Sequence, residues 1–231
     1  DVVDIILEPL ASSEAVLGQE ERDLGVAMVD LGGGTTDLAI FLDGSIRHSA
    51  VLPIGGQNLT RDLAYGLHTS QTEAEKIKTQ YGVARTELVI GHQMVEVSSV
   101  GERPARTFSR RDIAEILEPR VDEMFELVRR EIARAGYEEI LGAGVVITGG
   151  TSLLEGMPDA AEKVLNLPAR RGIPSGVGGL CETVGHPSYS TGVGLLLRAR
   201  RHVSELETAG LRNGGPWAKV RGWTKWMSEV F

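Results

Sequence analysis

The sequence predicts an α/β fold, and three patterns in its 231 residues support this prediction. Two short apolar runs, residues 26–31 and 38–42, flank a glycine-rich loop and have the length of buried strands. A third apolar run, residues 145–148, also ends in glycines. Apolar residues recur at helical spacing over residues 70–80 and 121–135. Strands and amphipathic helices that share one chain in this way predict a mixed α/β architecture.

The composition is that of an ordinary globular protein, with 42% hydrophobic and 24% charged residues. The formal net charge of −8 argues against general nucleic-acid binding. The last 21 residues carry four basic side chains and one acidic one, a net +3, which leaves −11 on the residues before them. An acidic body with a basic tail suggests that the tail has a partner of its own.

A single cysteine, Cys181, excludes an intrachain disulfide and suits a reducing cytosol. The sequence has no signal-peptide pattern at its start, and no apolar run approaches the ~20 residues that span a bilayer. Because the chain begins at Asp1 rather than at a methionine, we expect it to be part of a longer protein.

The first 17 residues predict a strand followed by a short helix that stops at Gly18. Small residues in this helix, among them Ala11, Ser12 and Ser13, favour close packing of one backbone against another. From the residues alone, a plain packing helix and a connector between two domains are both open. The charged residues 19–23 are predicted to form a loop.

The glycine-rich loop follows Asp30, the aspartate near the end of the first strand. Asp43-Gly44 is a strong hairpin signal, so the loop joins antiparallel strands, whereas Walker and Rossmann loops lead into a helix. Backbone N–H groups of Gly32, Gly33 and Gly34 can form a nest for phosphate oxygens. Asp30 could hold Mg²⁺ through water. The alternative is an ordinary glycine-rich hairpin.

Residues 45–53 predict a third strand after the hairpin turn. Gly55-Gly56 then predicts a break, and Asn58 or Thr60 is predicted to cap the helix that follows. Further on, residues 94–98 alternate like a strand. Residues 102–111 are basic and irregular, which predicts either a solvated loop or a surface that receives an acidic peptide.

Residues 70–80 predict a helix with Ser70 at its N-cap and Glu73 at the capping-box position. Glu75 and Lys78 are three residues apart and share one face of this helix. One interpretation is a surface ion pair worth at most about 0.5 kcal/mol, and the other is a ligand-binding pair.

Ser109 is predicted to cap another helical region, in which Pro119 marks the junction of two helices and Gly136 the end. The glycines after residues 145–148 form a second motif with Gly149, Gly150 and Thr151. We predict that a helix follows directly, capped by Thr151 or Ser152. Such a turn allows a flat ligand to lie against the backbone.

A strand with loops is predicted over residues 168–187, and a last helix of the globular body begins at Thr191. Residues 204–215 are predicted to form a flexible linker.

Residues 216–231 then predict an amphipathic helix roughly 24 Å long at ~1.5 Å per residue. Its apolar face suggests a helix that lies on anionic lipids, and a protein groove is the alternative. The predicted membrane contacts are Trp217, Val220, Arg221, Trp223, Lys225, Trp226, Met227, Val230 and Phe231.

The octapeptide from Asp30 to Asp37, read DLGGGTTD, resembles the second phosphate motif of the actin, DnaK and sugar kinase ATPases. Three further features narrow the resemblance: the segments LASS at 10–13 and AEKIK at 74–78, and the tryptophan-rich end. Together they resemble the FtsA family of bacterial cell-division proteins, which are actin homologues. The match covers the second half of that family's usual length, so we expect a further domain upstream.

This resemblance implies an actin-like (ribonuclease H-like) ATPase domain with an inserted small α/β subdomain. Residues 1–20 would be a strand and a hinge helix between domains. Residues 21–55 and 110–203 would form the large subdomain, and residues 56–109 the inserted one. Residues 204–215 would link this body to a membrane-targeting helix, residues 216–231.

The resemblance also implies the ligands, ATP and Mg²⁺. Asp30 would hold Mg²⁺ through water, Glu75 would bind the ribose hydroxyls, and Lys78 would lie against the adenine. The implied nucleotide contacts are Gly32, Gly33, Gly34, Thr35, Thr36, Glu75, Lys78, Gly149, Gly150 and Thr151. Because no general base can be assigned, ATP hydrolysis is left open.

For function, the resemblance implies a filament-forming protein of bacterial cytokinesis at the cytoplasmic face of the inner membrane, at the septum. It would tether the tubulin-like FtsZ through that protein's C-terminal peptide and recruit other division proteins. Two alternatives are a pilus-assembly ATPase of the PilM type, which we expect to lack the tryptophan-rich tail, and a sugar or carboxylate kinase, for which no catalytic acid is apparent.

Overall fold

A computed structural model of the chain describes residues 2, 4–101, 104–178 and 184–208. The predicted membrane helix, residues 216–231, and most of the predicted linker lie outside the described residues. Among the described residues, no helix has both the length and the apolar content needed to cross a membrane.

A five-stranded mixed sheet forms the centre of the fold, with the strand order β3-β2-β1-β6-β7. The strands β1, β2 and β3 are antiparallel neighbours, and β1, β6 and β7 run parallel. A separate pair, β4 and β5, is antiparallel. The bounds are β1 Val26–Leu31, β2 Thr36–Leu42, β3 Ser45–Leu52, β4 Met94–Val97, β5 Arg106–Ser109, β6 Val145–Thr148 and β7 Ala169–Arg171.

Helices cover both faces of this sheet, as an α/β fold requires. They are α1 Glu8–Val16, α2 Gln19–Leu24, α3 Gly56–Gly66, α4 Gln71–Tyr81, α5 Arg110–Ala135, α6 Met157–Leu165 and α7 Ser190–Thr208. The alternation along β1 divides the core, because Val29 and Leu31 pack with α3, α5 and α6, whereas Val26 and Met28 pack with α1 and α7. The predicted central strands and the predicted α/β fold class are therefore confirmed.

The helices α1 and α7 approach each other closely, as the small residues of α1 predicted. A Cβ atom added to Gly194 of α7 would lie 1.7 Å from the carbonyl oxygen of Ala11. Only glycine fits there, and this contact brings α7 against α1.

The segment between β3 and α5 contains α3, α4 and the antiparallel pair β4–β5, and its buried apolar residues belong to the same core cluster as the central sheet. Ser70 caps α4 as predicted, and its hydroxyl accepts the N–H of Glu73 at 3.2 Å. The N-cap of α3 differs from the prediction, because Gly55 occupies it and Asn58 accepts the Gly55 N–H at 3.1 Å. The domain boundaries given from the sequence stay a prediction.

Two predicted loops are regular elements instead. The charged residues 19–23 belong to α2, because the Glu21 carboxylate accepts the N–H of Gly18 at 2.8 Å and Gly25, with φ of 99°, ends the helix. Residues 106–109 of the predicted basic loop form β5, where the Arg106 guanidinium lies 4.8 Å from the centre of the Phe108 ring. With one apolar side chain in four, this strand has too weak an alternation to be seen in the sequence.

Two further predictions, a break in a helix and an additional strand, were also wrong. The helix α5 is continuous through Pro119, since its buried face runs on both sides of the proline and packing offsets the ~3 kcal/mol that proline costs inside a helix. The predicted strand before α1 is absent over residues 4–7, because no described strand pairs with them.

The ends of two helices differ from the prediction as well. After the second glycine motif, Gly150–Leu153 form a 3-10 turn, and α6 begins only at Met157. The last helix continues to Thr208, so the first residues of the predicted linker, 204–208, are helical.

Candidate functional site

The two glycine motifs lie side by side in the fold. The strands that precede them, β1 and β6, are parallel neighbours, and Asp30 is paired with Thr148. Both motifs therefore follow the same edge of the sheet, where ligands bind in open α/β folds. Each motif was recognised in the sequence, but their adjacency comes from the strand pairing.

The first glycine loop is a tight turn, in which the Gly32 N–H donates to the Thr35 carbonyl at 3.0 Å. Its carbonyl groups bind the start of α3: Gly32 accepts from Gly56 at 3.0 Å and Gly33 accepts from Gln57 at 2.8 Å. Within the described part of the chain, the N–H groups of Gly33 and Gly34 have no hydrogen-bond partner, and both residues are exposed. Exposed amides without a partner in a tight turn have the geometry that can bind an anion.

Two glycines outside the predicted site, Gly55 and Gly56, make this arrangement possible. A Cβ atom on Gly55 would lie 2.6 Å from the Gly33 carbonyl oxygen, and one on Gly56 would lie 2.4 Å from the Thr151 hydroxyl. The sequence analysis treated the pair only as a strand break. The adjacent glycines were a visible signal, but their partners are 22 and 95 positions away in the chain.

Glu75 and Lys78 form an ion pair at 2.8 Å that lines the same cleft. The Lys78 ammonium also donates to the Gly56 carbonyl at 3.1 Å and to the Thr60 hydroxyl at 2.9 Å, and its side chain is only 11% exposed. Burial alone would raise the pKa of Glu75, but hydrogen bonds from Lys78 and Thr60 outweigh it and lower the pKa. Glu75 therefore presents a carboxylate to the cleft. Thr60, which also bonds Glu75, was missed as a site residue.

Asp30 is partly buried behind the loop and held by α1, since the Ser12 hydroxyl donates to its Oδ2 at 2.6 Å. Burial raises the pKa of Asp30, the Ser12 hydrogen bond opposes this rise, and the nearby charge of Asp37 adds to it. Gly149 has φ of 83°, and a Cβ atom there would lie 2.3 Å from Asp30 Oδ1. The glycine thus keeps room beside this carboxylate. In the described ranges, no cluster of three or more acidic, histidine or cysteine side chains could hold a metal ion.

The cleft has a volume of about 1060 Å³ and lies between the helices α3 and α4 and the 3-10 turn at Gly150–Leu153. Loop residues His186 and Ser188 complete the wall. They lie in a stretch rich in glycine and proline without periodicity, so no pattern could identify them. The predicted contacts that line the cleft are Gly33, Glu75, Lys78, Gly150 and Thr151.

The other predicted contacts are not on the cleft wall. Thr36 is buried and its hydroxyl donates to the Ile54 carbonyl at 2.8 Å, so it serves the core of the fold. Thr35 is exposed and its hydroxyl donates to Asp37 at 3.3 Å. Thr151, which does line the cleft, does not cap a helix as predicted, and its hydroxyl donates to the Gly32 carbonyl at 2.8 Å.

Comparison with known proteins finds one family model, "Cell division protein FtsA", that matches residues 27–194 and so includes both glycine motifs. The chain is 51% identical to Cell division protein FtsA of Pseudomonas aeruginosa over 205 residues, which are 89% of this chain and 49% of that protein. It is 39% identical to the Escherichia coli K12 protein over 241 residues, which are 100% of this chain and 57% of that protein. The chain thus spans about half the length of these relatives.

Solved structures with the same fold are actin-like ATPases. MreB5 of Spiroplasma citri bound to ADP aligns with a TM-score of 0.70 at 20% identity, over 93% of this chain and 63% of that one. The PilM–PilN type IV pilus biogenesis complex aligns with a TM-score of 0.60 at 19% identity, over 85% of this chain and 52% of that one. At these identities the likeness establishes the actin-like fold alone.

Proposed function

Because the chain belongs to the FtsA family of bacterial cell-division proteins, we propose that it forms the nucleotide-binding half of an actin homologue of cytokinesis. The observation that carries this proposal is the cleft at the sheet edge, where two glycine motifs, free amides and a carboxylate–ammonium pair converge. The structurally similar MreB5 is bound to ADP, which supports a nucleotide as the ligand class.

In this proposal the phosphates of ATP lie against the N–H groups of Gly33 and Gly34. Exposed backbone amides in a tight turn stabilise phosphate charge without a lysine in the loop. The Glu75 carboxylate accepts hydrogen bonds from the ribose hydroxyls. Lys78 already donates to three protein oxygens, so its contact with the base is through its alkyl stem.

The residues present also fit Mg²⁺, which is bound by one or two carboxylates and otherwise keeps its water or binds phosphate oxygens. Asp30 supplies one such carboxylate at the strand end, and Gly149 leaves space beside its Oδ1. When bound, Mg²⁺ would neutralise phosphate charge. Asp30 would orient it through water, and Gly149 would keep a side chain out of that space.

We further propose that the complete protein assembles into filaments and links FtsZ to the inner membrane at the septum, through the FtsZ C-terminal peptide, and recruits other division proteins. Family membership supports this role. The membrane contact is assigned to residues 216–231 on their sequence pattern: an apolar face with three tryptophans opposite a basic face.

Calorimetric titration of ATP and Mg²⁺ into the full-length protein tests the nucleotide proposal. Gly33→Val should weaken binding at least tenfold, because the branched side chain occupies the phosphate position while the fold has room: the nearest atom to a Cβ there is Gln57 Nε2 at 3.9 Å. Gly178→Val is the matched control, since Gly178 is exposed, lies outside the cleft and has no atom within 4 Å of an added Cβ. Equal binding by Gly33→Val and the wild type would overturn the proposal.

A further inference from the structure

The helices α1 and α7, which cover the face of the sheet opposite α3, α5 and α6, contribute side chains that contact Asp30, the predicted magnesium ligand. Ser12 of α1 donates its hydroxyl proton to Asp30 Oδ2 at 2.6 Å. The hydroxyl oxygen of Thr191, in the first turn of α7, lies 2.9 Å from that of Ser12. Asp30, Ser12 and Thr191 are thus connected, although they come from three separate elements.

The direction of these hydrogen bonds follows from the number of protons. A serine hydroxyl has one proton and two acceptor lone pairs. Because Ser12 gives its proton to the carboxylate, only Thr191 can donate in the contact between the two hydroxyls, and the Thr191 hydroxyl also hydrogen-bonds the Asp30 carboxylate directly. The result is a relay in which Ser12 and Thr191 both direct their hydroxyl groups toward Asp30.

The neighbouring serine shows that this orientation is specific. Ser13 is also buried in α1, but its hydroxyl donates to the Leu10 carbonyl of its own helix at 2.8 Å. A buried serine in a helix commonly makes such a local bond. Ser12, with no exposed surface, instead bonds a carboxylate 18 residues away.

The relay also selects which oxygen of Asp30 stays available. Oδ2 accepts the Ser12 proton, and Oδ1 is the oxygen beside Gly149, where a Cβ atom would come within 2.3 Å. A carboxylate fixed by a hydrogen bond on one oxygen cannot rotate freely, so the other oxygen keeps one direction.

We propose that Ser12 and Thr191 are positioning residues that hold Asp30 in the orientation required for a hydrated Mg²⁺ ion at the phosphates. This inference rests on the proposed nucleotide function. It adds two residues from helices that do not line the cleft, and it makes the contact between α1 and α7 part of the site.

The test compares Ser12→Ala with Ser13→Ala in the full-length protein. ATP affinity is measured by calorimetry with Mg²⁺ and with EDTA, and the ratio of the two dissociation constants gives the gain from the metal. Removing partners that orient metal ligands commonly costs 10-fold or more in metal affinity, so Ser12→Ala should reduce this gain about tenfold. Its affinity in EDTA should be unchanged, and Ser13→Ala should keep the full gain.

Thr191 supplies a second, independent pair of variants. Thr191→Val keeps the shape and removes the proton donor, whereas Thr191→Ser keeps the hydroxyl. The valine variant should lose part of the gain from Mg²⁺, and the serine variant should retain it. If Ser12→Ala fails to fold, the comparison of Thr191→Val with Thr191→Ser still tests whether the hydroxyl groups orient Asp30 for Mg²⁺.

Each unfavourable outcome has a distinct meaning. If the wild type binds no ATP, or binds it equally with and without Mg²⁺, the proposed function fails and the relay fails with it. If the wild type shows the gain and Ser12→Ala keeps it, only the relay is overturned. A loss that is equal with Mg²⁺ and with EDTA would assign Ser12 a packing role and also overturn the relay.

Discussion

The hydroxyl group of Thr151 donates a hydrogen bond to the carbonyl oxygen of Gly32 at 2.8 Å and joins two glycine motifs that are 119 residues apart in the chain. The same carbonyl also accepts the N–H of Gly56 at 3.0 Å. Gly32 is therefore the point at which the first strand, the second motif and the start of α3 meet. This convergence defines the spacing between the proposed phosphate and adenosine positions.

Thr151→Val should weaken ATP binding several-fold with little loss of stability. The Gly32 carbonyl keeps its bond from Gly56, so we expect the free energy of unfolding to fall by only about 1 kcal/mol, the net value of one hydrogen bond. Calorimetry and urea denaturation measure the two effects. Thr151→Ser is the control because it retains the hydroxyl, and an equal loss of affinity in both variants would contradict the role of the hydrogen bond.

The sequence predicted those parts of the fold that have a strong local signal. Apolar runs gave β1, β2 and β6, and capping residues gave α4 and the start of α5. The continuity of α5 through Pro119 could not be predicted, because it depends on packing along a face that only the folded chain provides. Similarly, β5 exists because β4 offers it a hydrogen-bonding partner.

The candidate site likewise contains residues that a local sequence pattern reveals and residues whose role depends on distant contacts. Glu75 and Lys78 were recognisable as a pair because helical geometry fixes their separation. Gly55, Thr60 and Ser12 act through partners that are distant in sequence, so composition and spacing do not reveal those partners. Thr36 shows the converse: it belongs to the recognisable motif, but its hydroxyl is used inside the core.

Gly194→Ala should strongly destabilise the protein, whereas Gly192→Ala should not. Both glycines lie in α7, where alanine is intrinsically favoured over glycine by up to about 1 kcal/mol. A methyl group at Gly194 would lie 1.7 Å from the Ala11 carbonyl oxygen, but the position at Gly192 is open. We expect Gly194→Ala to lower the free energy of unfolding by 2 kcal/mol or more, on the order of other overpacking substitutions.

Urea denaturation of the two variants measures this difference directly. The pair is informative because the chemical change and the helix are the same, so intrinsic helix propensity cancels in the comparison. Similar stabilities for Gly194→Ala and Gly192→Ala would contradict the close contact between α1 and α7.

Glu118 should make stability depend on pH in the acid range. Burial alone would raise its pKa, but hydrogen bonds from the N–H and hydroxyl of Thr86 and from Arg85 outweigh this and lower the pKa below its ordinary value of 4.5. A carboxyl whose pKa is lower in the folded state stabilises the fold above the unfolded-state pKa, and this contribution is lost as the pH falls through the folded-state pKa. Stability should therefore decline below about pH 4.5.

Glu118→Gln should be less stable than the wild type at pH 7, and the difference should shrink as the pH falls below 4.5. Urea denaturation at several pH values measures it. Glu115→Gln is the control on the same helix, because its ion pair with Arg111 is exposed and such pairs contribute little. Parallel pH profiles for Glu118→Gln and the wild type would contradict the assignment.

Deletion of residues 216–231 should release the full-length protein from anionic lipid vesicles. Three basic residues of this segment, Lys219, Arg221 and Lys225, contribute about 1 kcal/mol each near an anionic surface. The predicted apolar face, which would include all three tryptophans, must then supply most of the binding free energy. Co-sedimentation with vesicles measures the bound fraction.

Point variants separate the two contributions and control for the deletion. Trp223→Glu would place a charge on the predicted apolar face and should reduce the bound fraction at every salt concentration, because the lost burial does not depend on screening. Ser228 belongs to the predicted polar face, so Ser228→Ala should bind like the wild type. Raising the salt concentration should weaken wild-type binding only in part, since salt screens the basic residues but not the apolar face. Continued pelleting of the deletion variant would show that residues 216–231 are not the membrane contact.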